Sequence, residues 1–369
     1  MPVLHYSPVI GGLETWTQNI AERISDEGNE VFLVTGKVEG QPVFEEKNGV
    51  KIFRTSLITL KNLSYSSPFY ILTSLPFIFF KSLSVIREEN VRLCHCQGFL
   101  SSFLGYLLFK ITNTPYIVTV QRLETDRGLL RRLAYQNARL CIGSSQAVKD
   151  YFNSIGIKNV KVIPNGIDFE RFQDVERTHA REKLGAGQDF LIMTVARLEK
   201  VKGLKYAIRA MDILYKKYQL SNIKYFIIGE GSERKKIENF IQRLGLGDKV
   251  VLLGQIKNED VPNYLAAADC FLLSSLKEGF GIVVLEAMAA SVPIVATGVG
   301  GVLDIIEDGK TGLLVEPQNP QKIAEAVFRI SSNSGLADLV VSNAEEEVKK
   351  YGWDKIAQRV SKIYSIYKK

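Results

Sequence analysis

The richest chemistry in the sequence lies in Glu278-Gly279-Phe280-Gly281-Ile282-Val283-Val284-Leu285-Glu286, where two glutamates are separated by seven residues. The first is expected just after a strand and its loop, the second on a helix. Glycines let backbone amides come close to a ligand. The helix start offers unpaired amides and the positive end of its dipole to an anion. A carboxylate on either side can accept hydrogen bonds from pairs of sugar hydroxyls. The alternative is a helix with an acidic first turn and a solvated second glutamate; the Gly-Phe-Gly between the two weighs against it.

A second cluster is Val195-Ala196-Arg197-Leu198-Glu199-Lys200-Val201-Lys202-Gly203. It reads as the end of a strand, a basic loop and a helix start. Arg197 can grip phosphate oxygens with two parallel hydrogen bonds, and Lys202 adds a point charge. Two such cations would neutralise a leaving diphosphate without a metal, and the sequence carries no Asp-x-Asp motif. A solvated basic turn is the alternative. A third and weaker signal is Gly11-Gly12, placed between the apolar start and a helix, where paired glycines permit close approach to phosphate or simply make a turn. The first strand, Pro2 to Ser7, is short, which puts its expected start upstream.

These residues need a scaffold, and the sequence supplies one by alternation. Short β-branched runs at Val31 to Thr35, Tyr116 to Val120, Leu140 to Gly143 and Val160 to Ile163 alternate with amphipathic stretches such as Thr17 to Glu27 and Ser145 to Ser154. Proline, Asn-Gly and a polar run from Gln173 to Gln188 then read as a linker. A second alternating half follows, with strands expected at Leu191 to Val195, Tyr225 to Ile228, Val250 to Leu253, Cys270 to Leu273 and Pro293 to Ala296. Helices are expected at Leu204 to Lys217, Glu233 to Leu244, Val261 to Ala267 and Ile282 to Ala290. This rhythm predicts α/β architecture, two parallel sheets covered by helices. Ligands of such sheets bind beyond the carboxyl ends of the strands. Trp353 to Tyr367 reads as a closing amphipathic helix.

Composition narrows the partners. The 369 residues suffice for two cores. A net charge of +7 favours anionic partners: nucleotide phosphates or an anionic lipid surface. Nucleic acid is not expected, because there is no arginine-rich tail and no aromatic-basic repeat. The four cysteines, Cys94, Cys96, Cys141 and Cys270, sit in apolar runs, as buried thiols of a reducing, cytoplasmic compartment would. Cys94-His95-Cys96 suggests a metal only superficially: on a strand the two thiols share one face and the imidazole the other. No secretory leader is expected, since the start lacks a basic region followed by an apolar run. The longest apolar stretch, Pro68 to Phe80, is shorter than the ~20 residues that span a bilayer. It reads as a core helix or as one lying on a membrane. Arg122, Arg127, Arg131, Arg132 and Arg139 form a basic run that is either a solvated face or the contact to an anionic membrane.

Taken together, the marks resemble the retaining glycosyltransferases of family four, which have the GT-B fold. Those marks are Gly11-Gly12-Leu13-Glu14, Ser144-Ser145, Val162 to Asp168, Arg197 with Lys202-Gly203, Gly229-Glu230-Gly231, Ala268-Asp269, Glu278 to Glu286, Gly300-Gly301, Gly309 to Leu314 and Trp353. They span nearly the whole chain in the family's order. The resemblance implies two Rossmann-like domains: an acceptor-binding domain over 1–168, completed by a returning helix at 351–369, and a donor-binding domain over 169–350. It further implies that Arg197 and Lys202 grip the donor diphosphate and that Glu278 binds the transferred sugar beside the backbone of Phe280, Gly281 and Ile282. Val283 would offer its amide to phosphate, Glu286 would hold the ribose, Gly12 with Gly11 would close onto the phosphate, and the base would lie near Gly231 and Ile256. The donor would be a uridine or guanosine diphosphate sugar, with no cofactor and no metal. The acceptor would be a glycan, a lipid-linked sugar or a small molecule.

Two departures fall on the acceptor side. Where many members carry a His-x-His pair, this chain has His95-Cys96-Gln97, and where many carry a histidine after the next strand it has Gln121 followed by Arg122. Glutamine donates and accepts hydrogen bonds but cannot serve as an acid or base near neutral pH. Three other readings therefore stand beside the transferase: a sugar-nucleotide epimerase of the same fold, a non-catalytic partner protein, and a dinucleotide oxidoreductase, the last lacking a G-x-G-x-x-G after its first strand.

Overall fold

The computed structural model describes residues 1–7, 11–59, 68–123, 128–173 and 175–367. The chain folds as two compact units, Met1–Gly166 with Trp353–Lys369, and Ile167–Gly352. The first unit contains α1 (Gly12–Asp26), β1 (Val31–Thr35), β2 (Phe44–Lys47), β3 (Val50–Arg54), α2 (Pro68–Glu88), β4 (Cys94–Gln97), α3 (Gly98–Thr112), β5 (Tyr116–Val120), α4 (Leu129–Gln136), β6 (Leu140–Gly143), α5 (Gln146–Ser154) and β7 (Val160–Val162). The second runs α6 (Arg177–Lys183), β8 (Phe190–Val195), α7 (Leu204–Lys216), β9 (Ile223–Ile228), α8 (Arg234–Arg243), β10 (Val250–Gly254), α9 (Val261–Ala267), β11 (Cys270–Leu273), α10 (Ile282–Ala289), β12 (Ile294–Thr297), β13 (Leu313–Val315), α11 (Pro320–Ser332) and α12 (Ser334–Val348). The chain then returns to the first unit with α13 (Trp353–Tyr367).

The second unit is one parallel sheet in the order β10-β9-β8-β11-β12-β13. Counted from β8, this is the order 3-2-1-4-5-6, which reverses between β8 and β11 and so opens a crevice at their carboxyl ends. Its strands are apolar on both faces because both are covered. Met211, Leu214, Leu272 and Val327 pack on one side, and Met193, Phe271, Leu285 and Val302 on the other. The polar run expected as a linker is not one. It holds α6, whose Arg177 and Arg181 reach Asp269 at 2.5 and 2.9 Å, while the second oxygen of Asp269 also accepts the Leu191 amide at 2.7 Å. Arginines aimed at one carboxylate give the polar segment a reason to fold that hydrophobic periodicity cannot reveal.

The first unit carries two sheets that are not hydrogen-bonded to each other, β1-β3-β2 and β4-β5-β6-β7. Sequence periodicity missed the β2–β3 hairpin, which turns on Asn48 and Gly49, both at positive φ. Pro2 to Ser7 forms only an isolated bridge, Pro2 to Val34, rather than a full strand. The returning α13 packs on α1, and Trp353 sits over Gly166, where a side chain would collide with the indole. The apolar stretch from residue 68 continues as a helix to Glu88. Among the described residues it contains one segment, Phe69–Glu88, long and apolar enough to cross a bilayer by length and composition. It packs against β1 and α3 through Ile78, Val85 and Ile86, and leaves Phe69, Leu72, Phe77 and Phe80 exposed.

Candidate active site

The site in the second unit is built where the sheet order reverses. After β8 the chain runs through Arg197, makes a short 3-10 turn at Lys200–Lys202 and enters α7 at Gly203. After β11 it runs through Ser274 to Gly281 and enters α10. The two loops are joined backbone to backbone: the Leu276 amide donates to the Val201 carbonyl at 2.7 Å, and the Ser274 hydroxyl to the Lys202 carbonyl at 3.0 Å. Gly203 makes this possible. Its φ is +62°, and a Cβ there would collide with the Ser274 carbonyl oxygen.

That junction brings residues 76 positions apart into contact, with Lys202 Nζ 2.7 Å from Glu278 Oε2 and both side chains about 15% exposed. The Ser275 hydroxyl donates to the same oxygen at 3.1 Å. Behind Glu278, Gly300 at φ +55° and the Gly301 amide sit against the Glu278 carbonyl. Thr297 fixes the loop from below by donating to the Ser275 carbonyl at 2.6 Å. Ser275 and Thr297 were not expected; a lone hydroxyl in a loop or at a strand end gives no signal in sequence.

α10 begins at Gly281 with no side-chain cap, so the amides of its first turn, at Ile282 and Val283, have no intrahelical acceptor. Phe280 is buried and its ring packs toward Tyr351, so the backbone of this segment faces the site while the ring anchors it. Glu286 lies one helical turn deeper and is half-buried. Burial pushes its carboxyl up to about 7, opposed by the charge of Arg171 from the segment before α6. Arg197 is different: its side chain is 69% exposed and, among the described residues, reaches only Glu199, at 2.5 Å. Gly231 lies against Leu198, whose amide donates to the Glu230 carbonyl at 2.9 Å, and Ile256 packs beside the core next to β10. The sequence-expected donor residues of this unit thus line the loops after β8, β9, β10 and β11, with Lys202 and Glu278 in direct contact.

The remaining residues lie in the first unit. Gly11 and Gly12 cap and open α1. His95, expected on the acceptor side, is held in the core: it is 2% exposed, with Nδ1 2.5 Å from the Tyr364 hydroxyl and Nε2 2.7 Å from Thr119. Burial lowers its pKa to about 3. Both nitrogens are spent on neighbours within the unit, so His95 is structural. Gln97, at the end of β4, is 5% exposed, and neither its amide oxygen nor its nitrogen has a partner among the described residues. Gln121, after β5, is half-buried, and its amide nitrogen has no partner among the described residues. Arg122 is exposed and its charge opposes the rise that burial imposes on Glu14. Arg131 stacks on Phe99 at 4.5 Å, Arg132 and Arg139 are exposed, and Arg127 lies outside the described residues.

Comparison with known proteins agrees with this architecture. Residues 176–347 match the family described as glycosyl transferases group 1, and residues 10–171 match Glycosyltransferase Family 4. The chain is 32% identical to an uncharacterized glycosyltransferase of Methanocaldococcus jannaschii, over 99% of this chain and 97% of that protein. Among solved structures, sucrose-phosphate synthase from Thermosynechococcus elongatus superposes with a TM-score of 0.82 at 23% identity, over 98% of this chain and 95% of the other. Anabaena HepE in complex with UDP-glucose superposes with a TM-score of 0.79 at 22% identity, over 98% of both. With its sheet order, its paired loops and this likeness along its whole length, the chain belongs to the glycosyl transferases group 1 family, GT-B-fold glycosyltransferases.

Proposed function

We propose that this glycosyltransferase moves a hexose-type sugar from a uridine or guanosine diphosphate donor to an acceptor hydroxyl, with retention of the anomeric configuration and without a metal or cofactor. The observation that carries the proposal is the contact of Lys202 with Glu278 beside the uncapped start of α10. A cation and a carboxylate next to an uncapped helix start are the groups that recognise a sugar phosphate. HepE, of the same fold, is described in complex with UDP-glucose.

In this reading Lys202, Arg197 and the amides of Ile282 and Val283 stabilise charge on the departing diphosphate. Glu278 accepts hydrogen bonds from the sugar hydroxyls and Glu286 from the ribose, while Gly231 and Ile256 border the base. The acceptor hydroxyl attacks from the face the phosphate leaves and gives its proton to that phosphate, so no enzyme nucleophile is required. In the first unit, the Gln97 side-chain amide and the Gln121 amide nitrogen, without partners among the described residues, suit hydroxyl groups of a glycan, lipid-linked or small-molecule acceptor. The exposed stripe of α2 suits a peripheral position on an anionic membrane, and the four buried free thiols suit the cytoplasmic side. Thermal shift against a panel of nucleotide sugars should single out one donor. Proton NMR of the product should then give the anomer of the donor. An inverted product, isomerised donor without transfer, or no shift with any nucleotide sugar refutes the reading.

A further inference from the structure

The outward face of α2 is as apolar as its inward face. Tyr70, Ile78, Val85 and Ile86 are buried in the first unit. Phe69, Leu72, Pro76 and Phe80 follow the i, i+3, i+7, i+11 spacing of one stripe, with Phe77 beside it, and all five are exposed. Phe69, Leu72 and Phe80 are between 65% and 72% exposed. A helix apolar all round is expected to be covered all round. With one face locked into the unit, α2 lies along the surface and does not span a bilayer.

This stripe sits at the acceptor end of the unit. The Tyr70 hydroxyl donates to the Lys37 carbonyl at 3.3 Å, which fixes the first turn of α2 just beyond the carboxyl end of β1. α3 packs against both α2 and α4, and it starts directly after Gln97 at the end of β4. Arg131 lies over the Phe99 ring at 4.5 Å, so the first turns of α3 and α4 are neighbours. Leu129 and Leu130, in that turn of α4, are exposed. Apolar side chains are thus laid open on α2 and α4, on either hand of the helix that begins at Gln97.

The charges in the same layer have one sign. α3 and α4 contain no acidic residue, and in α2 the first charge is Lys81 and the one acid is Glu88 at its last position. Lys81 lies over the Phe53 ring at 4.2 Å, as Arg131 does over Phe99, and Arg132 is exposed. Cations carried beside aromatic rings can meet lipid phosphates while the rings and leucines enter the acyl boundary.

We propose that this end of the first unit docks on an anionic bilayer, and that the acceptor is a lipid of that bilayer whose headgroup hydroxyl enters beside Gln97 and Gln121. The inference rests on the glycosyl transfer proposed above and narrows its acceptor to one class. The bond from the sugar to the diphosphate breaks, a bond from the sugar to the headgroup oxygen forms, and the hydroxyl proton leaves with the nucleoside diphosphate.

The test uses the full-length protein and two double variants, Phe69→Ser with Leu72→Ser and Leu129→Ser with Leu130→Ser. In flotation, vesicles of phosphatidylcholine with phosphatidylglycerol should bind the native protein about tenfold or more tighter than phosphatidylcholine alone, and salt should release it. Each variant should bind about tenfold or more weaker, with Tm and the thermal shift by nucleotide sugar unchanged. With labelled donor and vesicles of the source cells' total lipid, label should enter the organic phase, and the variants should lose this transfer along with binding. A native protein that stays in solution, variants that bind as native does, variants that alter only the oligomeric state, or label found in a water-soluble product each overturns the proposal. The absence of a thermal shift with any nucleotide sugar overturns instead the transfer reaction beneath it.

Discussion

Arg197 offers the sharpest separation of catalysis from stability in this molecule. Its side chain is 69% exposed, and its ion pair with Glu199 at 2.5 Å is open to solvent. Such pairs contribute about 0.2–1 kcal/mol. At roughly 2–4 °C per kcal/mol for a unit of this size, Arg197→Ala should lower Tm by no more than about 4 °C. If the guanidinium meets the departing diphosphate, its loss removes a donor aimed at developing charge, worth about 10²–10³ in turnover. Arg197→Lys keeps the charge but loses the two-pronged hydrogen bond, so it should fall between, about tenfold below the native enzyme. The assay is release of nucleoside diphosphate from the donor that gives the largest thermal shift, with Tm recorded on the same samples. Turnover of Arg197→Ala within threefold of native, or a Tm loss above 5 °C, would refute the assignment.

Lys202→Met should cost about 3 kcal/mol in urea titration, because it leaves Glu278 uncompensated in shielded surroundings. Adding Glu278→Gln should restore most of that loss, and a single-mutant cost under 1 kcal/mol would mean the pair is effectively solvated. Glu286 has a folded pKa near 7, above the ~4.3 of an unfolded chain. The stability it contributes is therefore fully present below pH ~4 and is lost as pH rises to about 7; calorimetry of Glu286→Gln should show a flatter profile across that window. Gly300→Ala combines a positive φ with a collision at the Glu278 carbonyl and should cost more than about 2 kcal/mol along with activity, whereas Gly187→Ala, at a similar φ in open space, should cost about 1 kcal/mol. Asp269→Ala strands two arginines and the Leu191 amide and should lower stability by about 3 kcal/mol by chemical denaturation, with activity per folded molecule unchanged.

The second unit was legible because its signals agree. Phe190 to Val195 and Cys270 to Leu273 are short apolar runs stopped by loops, and the glycines at 203 and 300 mark where those loops must pass close to backbone. What escaped was held by contacts distant in sequence. α6 folds on Asp269, 88 and 92 positions from its two arginines, and periodicity carries no trace of that. His95 reads as a candidate ligand of substrate until Tyr364, 269 positions on, is seen to take its Nδ1. The β2–β3 hairpin did leave a trace, the Asn48-Gly49 pair after charged strand residues, and it was missed because charged Glu45 and Glu46 interrupt the apolar pattern. The contact between Lys202 and Glu278 was expected only as shared membership of a site; the direct bond required the geometry of two loops.

The order of assembly follows from α13. The second unit is a continuous run from Ile167 to Gly352, so synthesis delivers all of it before α13 emerges. The first unit is begun earlier yet lacks the face that Trp353, Ile356 and Val360 supply to Trp16 and Ile20 until translation has passed the second. A nascent chain paused before Trp353 therefore holds a finished sheet fold attached to an unfinished one with bare apolar side chains, the species on which chaperones act.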